Sequence, residues 1–169
     1  MQVGAGDSRV LVVGSKLYPD RPDWRTKYSN GFGVDMLPGE GVDLVHDLEY
    51  PLPKEFVGAF SHVECISILE HAKRPWLVAI HLEQVLVTGG TIEISVPFVW
   101  RYHPYPDDYW RMTHSALPVL FPSIEWSSLG YATVKDYYPV PTEFPTKYRK
   151  LAGNKALYRT EVIGVGRKV

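Results

Sequence analysis

Arg9-Val-Leu-Val-Val-Gly14 is the stretch that decides the fold: four apolar residues in a row, three of them valine, closed by a glycine. A short run that is apolar on both faces and ends at a turn residue reads as a buried strand. Gly31-Phe-Gly-Val-Asp35-Met36 and Val42-Asp-Leu-Val-His-Asp47 read as two more strands, with the turn Pro38-Gly-Glu-Gly41 between them. Phe60 to Leu69 is a fourth. Pro75 suits the first turn of a helix, where a missing N–H is harmless. Val78, Leu82, Val85 and Leu86 then follow i, i+4, i+7, i+8 spacing, and Gly89-Gly90 is expected to end the helix. Thr91 to Pro97 is a fifth strand. Pro118 permits only a short helix from about Ser115 to Phe121, and Ile124 to Tyr137 suits a sixth strand. Thr160 to Val165 suits a last strand, expected antiparallel at the sheet edge. Strands that alternate with a crossover helix imply an α/β protein. The expected fold is Rossmann-like: a mostly parallel sheet with helices on both faces and an antiparallel last strand.

The composition narrows the function. The chain has 169 residues, 45% of them hydrophobic, which suits one domain with a core that needs no staples. Lys+Arg 18 against Asp+Glu 19 leaves a net charge of −1, which disfavours long nucleic acids as partners. A lone cysteine, Cys65, excludes an internal disulfide framework and a thiolate zinc site of the usual kind. No apolar run is long enough for a transmembrane helix, so no membrane partner is expected. The opening Met1 to Asp7 lacks the basic and apolar regions of a signal peptide, and a cytoplasmic protein is expected. The sequence leaves a homo-oligomer open.

Ligands of doubly wound sheets bind beyond the carboxyl ends of the strands. Gly14 and Ser15 end the first strand, Asp35 the second and Asp47 the third. Asp35 lies 21 positions after Gly14, the spacing at which a carboxylate reaches the ribose hydroxyls of a nucleotide cofactor. Asp47 has the chemistry to accept from an exocyclic amino group. The loop Gly14-Ser-Lys-Leu-Tyr-Pro19 has one glycine of the G-x-G-x-x-G pattern, which argues against NAD or FAD and is compatible with a cofactor without phosphates. The bland reading makes Gly14 a turn and both aspartates solvated strand ends.

These segments, with Ile66-Ser-Ile-Leu69-Glu70-His71 and Ser95-Val-Pro97-Phe98, resemble class I S-adenosylmethionine-dependent methyltransferases, specifically the small type 11 group. Ser67-Ile-Leu-Glu-His71 is the most specific stretch, and His103-Pro-Tyr-Pro-Asp107-Asp108-Tyr109-Trp110-Arg111-Met-Thr113 resembles a segment of the same group. The similarity covers roughly residues 9 to 126. It implies a single methyltransferase-like domain over 1–169, with a cofactor half at 9–97 and acceptor-side loops and C-terminal strands at 98–169. It implies S-adenosylmethionine as cofactor, with Gly14 and Ser15 at the methionine part, Asp35 at the ribose, Met36 against the adenine, and Asp47 and Leu48 near the adenine amino edge. Ser67, Leu69, Glu70 and His71 would line the floor beneath the sulfonium. The chain departs from the family in the single loop glycine, in Val12-Val13 where an acidic residue is usual, and in Pro19 and Pro22, which interrupt the helix after the first strand.

Methyl transfer from a sulfonium needs alignment first, and a hydroxyl acceptor also needs a proton acceptor. His71 and His103 are the candidate catalytic residues, since imidazole titrates near neutrality. Alternatively, His71 caps the turn or holds Glu70. The aromatic block Trp100 to Trp110 suits an acceptor lid, with Tyr102, His103, Tyr105, Asp107 and Arg111 as candidate acceptor-binding residues for a small molecule or a sugar. The structural alternative packs Trp110 into the core and pairs Arg111 with Asp107 or Asp108. His103, Asp107, Asp108 and His114 match no recognised ligand spacing, so no metal is expected. The rival to an enzyme is a catalytically inactive methyltransferase-fold protein that binds a partner.

Overall fold

The computed structural model describes residues 9–19, 22–132 and 161–169. Seven strands form one sheet: β1 (Val10–Val13), β2 (Gly31–Asp35), β3 (Leu44–Val45), β4 (Phe60–Ile66), β5 (Leu86–Pro97), β6 (Ile124–Tyr131) and β7 (Glu161–Lys168). Their order is β3-β2-β1-β4-β5-β7-β6. The pairs from β3 to β5 are parallel, and β7 runs antiparallel between β5 and β6. Among the described residues there are two α-helices, α1 (Pro75–Val85) and α2 (Leu117–Leu120).

All four residues of β1 are buried, as a central parallel strand requires. Along β4 and β5 the apolar positions alternate. Val63, Cys65, Ile92, Ile94 and Val96 enter the core with Val162 of β7, while His62, Glu64 and Glu93 take the intervening positions. Val78, Leu82 and Val85 of α1 and Leu117 of α2 join that core. His81 of α1 bonds the Leu48 carbonyl through Nδ1 (2.8 Å), tying the helix to the segment after β3.

Between β1 and β2 the described residues hold a single 3-10 turn, Trp24–Thr26, in agreement with the two prolines before it. Trp24 nevertheless covers the strand: its indole donates from Nε1 to the Ser15 carbonyl (2.8 Å), and its ring lies where a side chain at Gly31 would project.

Four sequence expectations shift. The helix ends at Val85, and β5 starts at once with Leu86, which pairs with Phe60. Gly89-Gly90 therefore makes no helix cap. The pairing jumps from Phe60–Leu86 to His62–Thr91, and Gly89, at φ 79°, absorbs the extra residues. The last strand lies inside the sheet and β6 takes the edge. Gly164 and Gly166 make this arrangement fit, because side chains there would strike Trp126 and Ile124. The third strand shrinks to Leu44–Val45, since the Asp43 carboxylate turns back to accept from the Gly33 N–H (2.7 Å). The fourth stops at Ile66, and Leu69 falls in the next 3-10 turn. The stretch 133–137 of the expected sixth strand lies outside the described residues. Among the described residues, no helix is long and apolar enough to cross a membrane.

Candidate active site

Two neighbouring cavities open at the carboxyl ends of the parallel strands. The first, about 390 Å³, is lined by Gly14, Asp35, Met36, Asp47, Leu48 and Ile68, and also by His71 and Tyr105. That volume lies within the range of small-molecule sites, roughly 300–1,000 Å³. The loop that follows β1 is drawn tightly onto β2. The N–H groups of Gly14 and Ser15 both donate to the Val34 carbonyl (2.9 and 3.2 Å). The Lys16 N–H donates to Asp35 Oδ2 (3.1 Å), and the Leu37 N–H to Asp35 Oδ1 (2.9 Å). Gly14 has φ 71°, and a side chain there would strike Ile68. One glycine is thus required by the turn, while the N–H groups that a pyrophosphate would need are engaged by β2.

The second cavity, about 440 Å³, lies past the ends of β4, β5 and β7. Ser67, Glu70, His71, Trp100, His103, Tyr105 and Glu161 line it, so His71 and Tyr105 border both cavities. Ser67 has φ 54°, an uncommon left-handed conformation for a residue with a side chain, and it turns the chain from β4 into the 3-10 turn Leu69–His71. That turn brings a fully buried carboxyl, Glu70, beneath two imidazoles: Oε1 is 3.7 Å from His71 Nε2 and 3.8 Å from His103 Nε2. Neither Glu70 oxygen has a hydrogen-bond partner. Burial pushes the Glu70 carboxyl up to about 7 and pulls the His71 imidazole down.

Both histidines are oriented from behind. His71 bonds the Asp107 carbonyl through Nδ1 (2.6 Å), and His103 bonds Asp108 Oδ2 through Nδ1 (2.9 Å). A carbonyl and a carboxylate accept only, so in the neutral rings Nδ1 carries the proton and Nε2 a lone pair. The Asp108 side chain is shielded from solvent and also holds the Arg111 guanidinium on both oxygens (2.5 and 2.7 Å). This charge pairing with Arg111 holds the Asp108 carboxyl far below the usual range. Arg111 continues to the carbonyls of Trp100, Arg101 and Trp110, and the Tyr109 N–H reaches the Glu70 carbonyl (2.8 Å). The 98–111 segment is thereby fastened over the turn that presents Glu70 and His71.

The expected site residues divide. Gly14, Asp35, Met36, Asp47, Leu48 and His71 line the first cavity, and Ser67, Glu70, His103 and Tyr105 the second. Ser15 is buried beside Gly33, and Leu69 lies in the core. Tyr102 is exposed and lines neither cavity, and Asp107 borders the first. Arg111 pairs with Asp108. Trp110 is 38% exposed, donates to the Ala72 carbonyl (2.8 Å) and packs edge-on to Trp76, so it ties the segment down from outside the core. His114, one of the residues weighed as a metal ligand, stacks edge-on with Tyr131 instead. Sequence reasoning missed Glu161 altogether: β7 carries it to the cavity, where Ser95 Oγ donates to it (3.1 Å). The positioning role of Asp108 had one local sign, its three-residue spacing from Arg111.

No family model matches the sequence, and no curated protein matches it. Solved structures do resemble it. A chain of the complex between the Trm112 methyltransferase activator of Haloferax volcanii and a candidate methyltransferase aligns at a TM-score of 0.65 and 19% identity, over 95% of this chain and 82% of that one. A candidate methyltransferase from Bacillus halodurans aligns at 0.63 and 15%, over 96% and 92%. The 1,6-didemethyltoxoflavin N1-methyltransferase of Burkholderia thailandensis, solved with bound 1,6-didemethyltoxoflavin and S-adenosylhomocysteine, aligns at 0.62 and 12%, over 95% and 71%. The fold is that of the class I S-adenosylmethionine-dependent methyltransferases.

Proposed function

We propose that the protein transfers a methyl group from S-adenosylmethionine to a small molecule or a sugar, with the cofactor in the first cavity and the acceptor in the second. The observation that carries this reading is the pair of cavities meeting at His71 and Tyr105. A direct displacement needs two ligands brought end to end across one shared wall. The first cavity fits the cofactor by its chemistry. Asp35 has acceptor capacity left for a vicinal diol after its two backbone contacts, and Met36, Leu48 and Ile68 offer apolar walls to a purine. The engaged N–H groups after β1 suit a ligand without phosphates. When bound, the sulfonium supplies an activated methyl carbon.

This chain's own residues then act on the acceptor. The Nε2 lone pairs of His71 and His103 are available to take a hydrogen bond from an acceptor hydroxyl. Trp100 and Tyr105 give flat faces to apolar C–H surfaces, and Glu161 accepts from a further hydroxyl. Two imidazoles held in one tautomer speak for catalysis over an inactive binding protein.

Incubation of the protein with methyl-labelled cofactor and a small-molecule cell extract tests the reading. Label is expected in an acceptor fraction below protein and nucleic-acid size. No labelled fraction, together with no calorimetric heat from S-adenosylmethionine or S-adenosylhomocysteine on folded protein, would overturn it.

A further inference from the structure

Beyond methyl transfer, we infer that Glu70, His71 and His103 form a site for a divalent first-row transition-metal ion, zinc in the first instance, whose remaining coordination positions open into the second cavity. One ligand atom from each residue lies within 4.8 Å of the others. The neutral rings aim two bare nitrogens at a carboxylate oxygen, at 3.7 and 3.8 Å. Those separations are too long for hydrogen bonds, and lone pair faces lone pair. Glu70 is fully buried and both its oxygens lack a partner. A buried polar group in that condition needs an explanation, and an ion is one of the few available. A cation among the three satisfies all of them at once. Ligands at about 2.0–2.1 Å in a tetrahedral site stand about 3.3 Å apart, so closure brings each histidine about half an ångström nearer to Glu70 and draws the two imidazole nitrogens, within 4.8 Å of each other, together by up to about 1.5 Å.

The surroundings have the form of a metal site's outer layer. Each imidazole donates its other nitrogen backward, one to the Asp107 carbonyl and one to the Asp108 carboxylate, which fixes the rings and raises the basicity of the facing nitrogens. Two imidazoles and one carboxylate select a borderline ion such as zinc or cobalt over magnesium or calcium, which prefer oxygen ligands throughout. Three protein ligands leave positions for an acceptor oxygen.

The site stands on this geometry alone; its use in holding the acceptor rests on the methyl-transfer reading. There, a coordinated hydroxyl releases its proton to solvent, its oxygen forms the new bond to the methyl carbon, and the sulfur–carbon bond breaks to leave a neutral thioether. The histidine nitrogens are then ligands to the ion and take no proton.

Metal-free wild-type protein, prepared by dialysis against a chelator, is titrated with zinc by calorimetry and with cobalt by visible absorption. One ion per chain is expected, with a cobalt spectrum of low coordination number. Glu70→Gln and His103→Ala are each expected to weaken uptake by about a hundredfold or more, whereas His114→Ala leaves it unchanged. Circular dichroism of each variant checks the fold, and Glu70→Gln preserves the shape of the side chain. No uptake by folded wild-type protein, or uptake unchanged in folded Glu70→Gln and His103→Ala, would overturn the site. S-adenosylhomocysteine is titrated into the same samples. Metal uptake without heat from that ligand supports the site and, together with no labelled acceptor fraction, overturns the methyl-transfer reading; heat without metal uptake overturns the site alone.

Discussion

Replacing Asp35 by alanine separates two consequences that the structure assigns to one carboxylate. Its oxygens accept from the Lys16 and Leu37 N–H groups (3.1 and 2.9 Å) at the mouth of the first cavity. Losing two bonds to backbone on a partly solvated surface costs about 1–2 kcal/mol of folding stability. At about 2–4 °C per kcal/mol for a chain of this size, the melting temperature falls by roughly 2–8 °C. The second consequence concerns binding. Hydrogen bonds to a charged acceptor contribute about 1.5–3 kcal/mol, and the diol also regains water when unbound. A net loss of about 1.5–3 kcal/mol is expected, a rise in the cofactor Kd of roughly 10- to 150-fold. Calorimetry with S-adenosylhomocysteine and its 2′,3′-dideoxy analogue distinguishes direct contact from a loosened loop. Wild-type protein should discriminate between the two ligands, and the alanine variant should not, which is a double-mutant cycle with one change on the ligand. A folded Asp35→Ala variant that binds within twofold of wild type would refute the reasoning. Equal discrimination by both proteins would refute the diol contact.

Arg111→Met removes the guanidinium from Asp108 and leaves its two contacts to His103, and losing charge-assisted hydrogen bonds at this partly exposed pair costs about 1.5–3 kcal/mol. The expected outcome is a lower melting temperature and loss of methyl transfer, with cofactor Kd held within about threefold by calorimetry. Gly33→Ala would push a methyl group against the Gly41 carbonyl and to about 2.6 Å from Ser15 Oγ, so β2 and the loop after β1 must separate. Overpacking of this kind destabilises by about 1–3 kcal/mol, which urea unfolding would register as a lower midpoint; an unchanged midpoint would contradict the close approach.

The parts of this fold that the sequence makes legible are those set by local pattern. Val10–Val13 is buried on both faces and reads so from four residues, and Val78, Leu82 and Val85 declare the face of α1. What escapes is set across the sheet. Nothing in Glu161–Lys168 says that the strand inserts between β5 and β6, because that position depends on pairing with residues 64–76 positions away in β5 and 31–44 positions away in β6. Gly89-Gly90 has the composition of a helix stop, yet the apolar Leu86 gains more by pairing beside Phe60 than by capping, and the glycines become a bulge. The candidate site divides in the same way. Asp35 is legible through its spacing from Gly14. Ser15 and Leu69 flank residues that do line a cavity, but their own side chains turn into the interior, which a motif cannot reveal. Glu161 reaches the second cavity through a tertiary contact alone, and Asp108 acts on that cavity only through His103.

The single loop glycine, a departure from the resembled family, follows from how the loop is held. Between β1 and β2 a helix would ordinarily fix the loop by packing; here, among the described residues, one 3-10 turn stands in that interval. The loop is held from other directions: by Val34 through two N–H groups, by Asp35 through Lys16, and by the Trp24 indole through the Ser15 carbonyl. The contacts made by the Gly14, Ser15 and Lys16 N–H groups each engage a donor that could have bound a phosphate, so the means of holding the loop also selects against dinucleotides. Asp35 belongs to both sets, since it anchors the loop and faces the cavity. Cofactor affinity and loop order are therefore coupled through one side chain. A ligand that engages Asp35 should protect the Lys16 and Leu37 amides from hydrogen exchange, and a ligand that bypasses it should leave them as they are in the free protein.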